Sequence, residues 1–165
     1  MSTRKPTTLY FMCGKMAAGK STLARSLAAS NGAVLLSEDD LLRELYPDEI
    51  TDIKSYSERS TRIKRALTGH ICSLLGLGVS VVLDFPANTT GQRAWFRELV
   101  QASKAAHELH FVDTPEHICK TQLKTRSRQT HGDPLQDEAT FDLLAGYFSP
   151  PTPEESFLVI RHTRD

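Results

Sequence analysis

Short apolar or β-branched runs alternate with segments of helical periodicity along the whole chain. Thr7–Met12 (TTLYFM), Ala33–Leu36 (AVLL), Val79–Leu83 (VSVVL), Glu108–Val112 (ELHFV) and Phe157–Ile160 (FLVI) read as five strands. Between them, Lys20–Ser30 spaces Leu23 and Leu27 four apart and stops at Asn31-Gly32, the usual place for a glycine just past a helix end. Ser57–Leu77 carries Ile63, Leu67, Ile71 and Leu74 at helical spacing. Gln92–Ala105 and Pro115–Arg128 add two more helices, the second opened by Thr114-Pro115, a cap residue followed by proline at the first helical position. This alternation predicts an α/β fold of three layers, a parallel, five-stranded sheet with helices on both faces. The polar stretch Ser127–Gln136, which holds Gly132 and Pro134, lies between helical patterns. A loop of that length suits a short lid, placed at about residues 126–136.

The first strand runs straight into Gly14-Lys15-Met16-Ala17-Ala18-Gly19-Lys20-Ser21, a full match to G-x-x-x-x-G-K-[S/T] in the strand-loop-helix setting that motif requires. Its glycines let backbone N–H groups curl around a phosphate chain, and the helix N-terminus adds positive partial charge. Residues Gly14 to Thr22 are therefore the expected nucleotide-binding loop, with Lys20 on the β- and γ-phosphates and the Ser21 hydroxyl on Mg²⁺. Cys13, beside Gly14, reads as a small residue at a strand end rather than a nucleophile.

Three further features belong at the carboxyl ends of the strands, where ligands of open α/β sheets collect. After the second strand comes Ser37-Glu38-Asp39-Asp40-Leu41-Leu42-Arg43. A carboxylate there can take a proton from an attacking hydroxyl, and an arginine one turn on can hold a polar or anionic acceptor. The same residues also read as a Ser37-capped helix with an acidic first turn, and both readings can hold together. Asp84 ends the third strand as the expected Mg²⁺ ligand, followed by Asn88, Thr89 and Arg93 as candidate acceptor contacts. Lys120, Lys124, Arg126 and Arg128 crowd the end of the last helix, where arginines of a closing lid would meet the charge of a migrating phosphoryl group.

Composition narrows the classes. A chain of 165 residues with 20 basic and 20 acidic side chains suits a single domain over residues 1–165 and offers no overall electrostatic attraction for nucleic acid or anionic membrane. No apolar run approaches the ~18 residues of a membrane span, and no signal peptide is evident. Cys13, Cys72 and Cys119 are odd in number and widely spaced, against a disulfide framework or zinc site and in keeping with a cytoplasmic setting. His107 and His110, three apart on a strand, point to opposite faces and make a poor metal pair. Arg59, Arg62 and Arg65 read as a solvated helix face.

Taken in order, GKMAAGKS, the acid-x-x-Arg of Asp40–Arg43, Asp84 with PANTTGQR after it, LKTRSR at the start of the lid and the ending FSPPTPEESFLVI resemble the small P-loop kinases of the AAA_33 type. That group is related to polynucleotide 5′-kinase domains, zeta toxins and chloramphenicol phosphotransferase. The resemblance implies ATP and Mg²⁺ as cofactors and transfer of the γ-phosphoryl group to a hydroxyl of a small molecule. It implies Lys20 and Ser21 on ATP and Mg²⁺, Asp40 as general base, Arg43 on the acceptor and Arg126 as the lid arginine, with Arg128 beside it. Asp39, adjacent to Asp40, competes for the base or acceptor role; Asp40 keeps the spacing to Arg43. Two alternatives stay open: a kinase of nucleoside or polynucleotide 5′-hydroxyls, and a nucleotide-dependent ATPase or switch that transfers nothing. No Asn-Lys-x-Asp run occurs, which weighs against a guanine-reading switch.

Overall fold

A computed structural model describes residues 5–129 and 135–164 of the chain. The elements run β1 (Thr8–Cys13), α1 (Lys20–Asn31), β2 (Val34–Ser37), α2 (Glu38–Leu45), α3 (Ile53–Gly76), β3 (Val81–Pro86), α4 (Thr90–Ser103), β4 (Ala106–Asp113), α5 (Glu116–Gln129), α6 (Glu138–Tyr147) and β5 (Val159–Thr163), with a single 3-10 turn at Pro153–Glu155. All five strands are parallel, in the order β2-β3-β1-β4-β5. Strand order therefore reverses around β1, and the crevice at its carboxyl end is where such sheets bind ligands.

β1 is buried along its whole length, so its two faces serve two cores. Leu9, Phe11 and Cys13 join Val81, Leu83, Phe85, Phe96, Leu99 and Leu109 under α3 and α4, with Phe11 stacked on Phe96 at 4.5 Å between ring centres. Tyr10 and Met12 face Ala24 of α1 and Val82. A third cluster seats α5 and α6 through Val112, Cys119, Leu123 and Phe141. Burying both faces of the parallel strands is the main stabilising term of this layer architecture.

The sequence reading of fold class and of the five strands agrees with the structure, with boundaries displaced by one to three residues. The long helix begins at Ile53 rather than Ser57, because Asp52 and Ser55 close a capping box around its first turn. Beyond the polar loop lies α6, capped by Asp137 on the Thr140 N–H at 2.6 Å. Residues 130–134, the centre of the expected lid, lie outside the described residues. Among the described residues, no helix is long and apolar enough to cross a membrane.

Candidate nucleotide and acceptor site

The loop between β1 and α1 turns through backbone conformations that few side chains accept. Gly14 is required by crowding: a Cβ there would lie 2.7 Å from the Val112 carbonyl oxygen. Gly19 caps α1 at φ 106°, ψ 17°, a left-handed conformation natural to glycine, and Ala17 adopts φ 60°. With no side-chain cap and no acid in its first turn, α1 presents its first N–H groups and its positive dipole end into the crevice.

Lys20 curls back over this loop, its Nζ donating to the carbonyls of Gly14 at 2.5 Å and Lys15 at 2.9 Å. Burial pulls its pKa down, while the charges of Asp84 and Asp39 push it back up. Those two acids thus flank the lysine electrostatically. Asp84 sits on β3 in register with Ser37 at the end of β2, next to the acids that open α2. Ser21 occupies the second position of α1, beside Lys20.

Asp40 is placed differently. It is 65% exposed and bound by Arg43, also 65% exposed, at 2.7 Å, so the acid-x-x-Arg pair closes on itself at the surface of α2. The acid whose charge reaches Lys20 is its neighbour, Asp39. Helical phase explains the exchange, since successive residues turn by about 100° around the axis. Ser37 caps α2 by accepting from the Asp40 N–H at 3.3 Å, and Glu38 is driven into the core at 2% exposure. There its carboxylate accepts from the hydroxyls of Tyr56 and Ser60, the latter at 2.6 Å. Burial pushes the Glu38 carboxyl up from its ordinary value against the pull of those two hydrogen bonds and of Lys64. With Glu38 locked against α3, Asp39 and Asp40 both lie exposed in the first turn of α2, Asp39 with its charge felt at Lys20 and Asp40 held by Arg43.

Two residues expected on the acceptor serve the scaffold instead. Asn88 Oδ1 accepts from the Gly14 N–H at 2.8 Å, anchoring the first residue of the phosphate loop to the segment after β3. Arg93 is 1% exposed. Its Nε donates to Glu155 at 2.7 Å and its Nη1 to the carbonyls of Ala87 and Ser149 at 2.9 and 2.8 Å. Burial raises the Glu155 carboxyl, but the hydrogen bonds from Arg93 and the Thr152 N–H and the nearby guanidinium charges outweigh it and hold the group below its ordinary value. Thr89, the third candidate, caps α4 by accepting from the Gln92 N–H at 3.0 Å. Arg59 also departs from expectation. Rather than standing in solvent, it binds Glu49 at 3.1 Å and lies over the Tyr46 ring, tying α3 to the segment after α2.

Lys15 pairs with Glu116 at 2.7 Å, and burial lifts the Cys13 thiol to about 12, which removes it as a nucleophile near neutral pH. Arg126 and Arg128 stand exposed in the last turn of α5. The stem of the polar loop is held where Ser127 Oγ donates to the Gln136 carbonyl at 2.6 Å and Lys120 binds Asp142 at 2.9 Å, clasping α5 to α6.

A family model described as an AAA domain, AAA_33, matches residues 9–151, which takes in the phosphate loop, both acids and α6. The chain belongs to the AAA_33 family. The fold of this AAA_33 domain recurs in solved structures of low sequence identity. A sugar kinase from Janibacter sp. HTCC2649 is 16% identical with a TM-score of 0.65, covering 96% of this chain and 86% of that one. The Mycobacterium tuberculosis APS kinase CysC, solved with AMPPNP and APS, is 22% identical with a TM-score of 0.60 over 97% and 90% of the two chains. Chaetomium thermophilum Kti12, solved with ADP-AlF3, is 16% identical with a TM-score of 0.65 over 93% and 88%. No curated protein matches the chain in sequence. At these identities the likeness shows the P-loop fold.

Proposed function

We propose that this AAA_33 domain is an ATP-dependent kinase that transfers the γ-phosphoryl group to a hydroxyl of a small molecule. The observation that carries the reading is the phosphate loop with Lys20 held over it by the Gly14 and Lys15 carbonyls, within electrostatic reach of two acids of different origin, Asp84 from β3 and Asp39 from α2. One acid serves the metal; the second can orient and deprotonate the nucleophile, which in a kinase is the acceptor hydroxyl. Asp39 takes that role in place of the Asp40 expected from spacing. The sugar kinase and APS kinase among the structural neighbours add support by fold.

In this reading the backbone N–H groups of the loop and of the first turn of α1 hold the β- and γ-phosphates, and Lys20 exchanges its two carbonyl partners for phosphate oxygens. The acceptor hydroxyl approaches in line. As its oxygen bonds to the γ-phosphorus, the proton passes to the Asp39 carboxylate and the bond from that phosphorus to the β–γ bridging oxygen breaks, releasing ADP. Ser21 and Asp84 form an oxygen-only donor set that fits Mg²⁺, and would hold it there. When bound, that ion would neutralise charge on the β- and γ-oxygens. Arg126 and Arg128, at the root of the lid, supply the cations that close over the transferring group and exclude water.

The test is ADP release from Mg·ATP with a panel of sugars, nucleosides, nucleotide-sugars, antibiotics and short oligonucleotides, run on the wild type, Asp39→Asn, Asp40→Asn and Lys20→Ala. One acceptor should raise ADP release, with that rise lost by at least a hundredfold in Asp39→Asn and in Lys20→Ala and kept within about threefold in Asp40→Asn. Loss in Asp40→Asn with activity kept in Asp39→Asn would return the base to Asp40. Slow ADP release indifferent to every acceptor would favour the ATPase or switch.

A further inference from the structure

The chain leaves β5 at Thr163, and the next residue, Arg164, folds its side chain onto the phosphate loop. A Cβ built on Gly19 would meet Nη1, Cζ and Nη2 of Arg164 at 2.8, 2.9 and 2.9 Å. Three nearly equal distances place the guanidinium broadside against that glycine. Any larger side chain at position 19 would displace it.

This arrangement gathers positive charge around the loop. The guanidinium lies beside the positive end of α1 and in the same loop as Lys20. Among the described residues, no carboxylate forms an ion pair with Arg164. The nearest basic strands add no relief: Arg161, three residues earlier, is already bound to Asp113, and Arg164 itself helps to depress the His162 pKa. Arg164 is exposed, so water solvates its guanidinium in the free protein, and an anion at this glycine would meet three positive features at once.

β5 holds this arginine in place. It is the edge strand, paired in parallel with β4 from Leu109↔Val159 to Asp113↔Thr163, and His162 Nε2 meets His110 Nδ1 at 2.8 Å beneath the last turn of the strand. The strand therefore ends within an arginine's reach of the loop, and Arg164 needs no rearrangement of the sheet to reach a phosphate.

We propose that Arg164 is a nucleotide-binding residue, its guanidinium pairing with the phosphate chain of ATP at Gly19. This inference rests on the reading of the loop as a nucleoside triphosphate site and adds to it a cation from the opposite end of the chain, independent of the lid. Planar, multi-donor guanidinium suits two phosphate oxygens at once, which lysine cannot match.

Calorimetric titration of ATP, ADP and inorganic tripolyphosphate into the wild type, Arg164→Ala, Arg164→Lys and Lys20→Ala tests it. Arg164→Ala should weaken all three ligands by about tenfold, the measure of a charge-assisted hydrogen-bonded contact. Arg164→Lys should recover part of that loss. The melting temperature of ligand-free Arg164→Ala should equal that of the wild type, since the side chain has no carboxylate partner to lose among the described residues. Unchanged affinities in Arg164→Ala, alongside lost binding in Lys20→Ala, would overturn the assignment and leave the kinase reading standing. Weaker ATP with unaltered tripolyphosphate would move the contact from phosphate to base and overturn it as stated, and tighter binding would make Arg164 a plug. Failure of the wild type to bind any of the three would overturn the nucleotide site and this inference together.

Discussion

Replacing Arg93 by methionine keeps most of the aliphatic volume of the side chain and deletes the guanidinium. That group makes three hydrogen bonds, to Glu155, to the Ala87 carbonyl and to the Ser149 carbonyl, at 2.7, 2.9 and 2.8 Å. Its loss leaves Glu155 Oε1 and two carbonyl oxygens without that donor, the carboxylate keeping only the Thr152 N–H, around a site that is 1% exposed at the arginine and 18% at the Glu155 side chain. Breaking a buried pair from one side costs about 3–5 kcal/mol. Because Glu155 keeps some access to water, the lower end applies, about 3 kcal/mol, a large share of the ~5–15 kcal/mol that holds a domain together. For a chain of this size, that loss lowers the melting temperature by about 6–12 °C. Glu155→Gln, whose amide oxygen can still accept from Nε, should cost only about 1 kcal/mol. Urea unfolding followed by circular dichroism measures both. The reasoning fails if Arg93→Met loses less than about 1 kcal/mol, or if the variant melts normally and loses only acceptor-stimulated ADP release, the outcome of an arginine that holds the acceptor.

Asn88→Ala removes the acceptor of the Gly14 N–H and should weaken ATP binding by roughly fivefold and stability by about 1 kcal/mol, read by calorimetry and urea midpoint; an unchanged ATP affinity would show that the loop holds its shape without this anchor. Burial, with the charges of His110 and Arg164, lowers the His162 pKa below that of an unfolded chain, so the native state takes up its proton less readily. Stability from this group is then full above about pH 6.5 and falls as the pH drops through that value toward the native pKa. The wild-type urea midpoint should decline between pH 7 and 5.5 more steeply than that of His162→Gln, and parallel profiles would refute the assignment.

The layers of the fold were legible because each depends on a short-range signal. Apolar runs mark strands buried on both faces, Leu23 and Leu27 mark the inner face of α1, and Asn31-Gly32 marks its end, where Gly32 indeed takes φ 58°. The phosphate loop was legible because its chemistry is written in consecutive residues. Arg93 was misread because exposure is a property of tertiary contact: its carboxylate partner lies 62 positions later, in the turn before β5, and nothing local marks the two as a pair. Arg164 went unnoticed for the same reason, since only the three-dimensional end of β5 brings it to Gly19. α6 was implied only by the position of the polar loop between helical patterns.

The choice between Asp39 and Asp40 shows where local reading ends. Both belong to the first turn of α2, both complement its dipole, and Asp40 alone keeps the three-residue step to Arg43. That step brings arginine and acid together, which is what i,i+3 spacing does on any helix surface, and the resulting ion pair is solvent-exposed. Spacing within one helix therefore reports which side chains meet each other, not which one meets the site. The site is selected by rotation of the helix about its axis, and that rotation is fixed from outside α2, by Tyr56 and Ser60 of α3 seizing Glu38. A residue 18 positions from Glu38 thus helps to hold the helix whose Asp39 charge is felt at Lys20. It follows that Tyr56→Phe, which touches no ligand, should loosen the phase of α2 and slow phosphoryl transfer through Asp39, lowering kcat while leaving ATP affinity within about twofold. An unaltered kcat would mean that Ser60 and the cap at Ser37 suffice to set the phase without Tyr56.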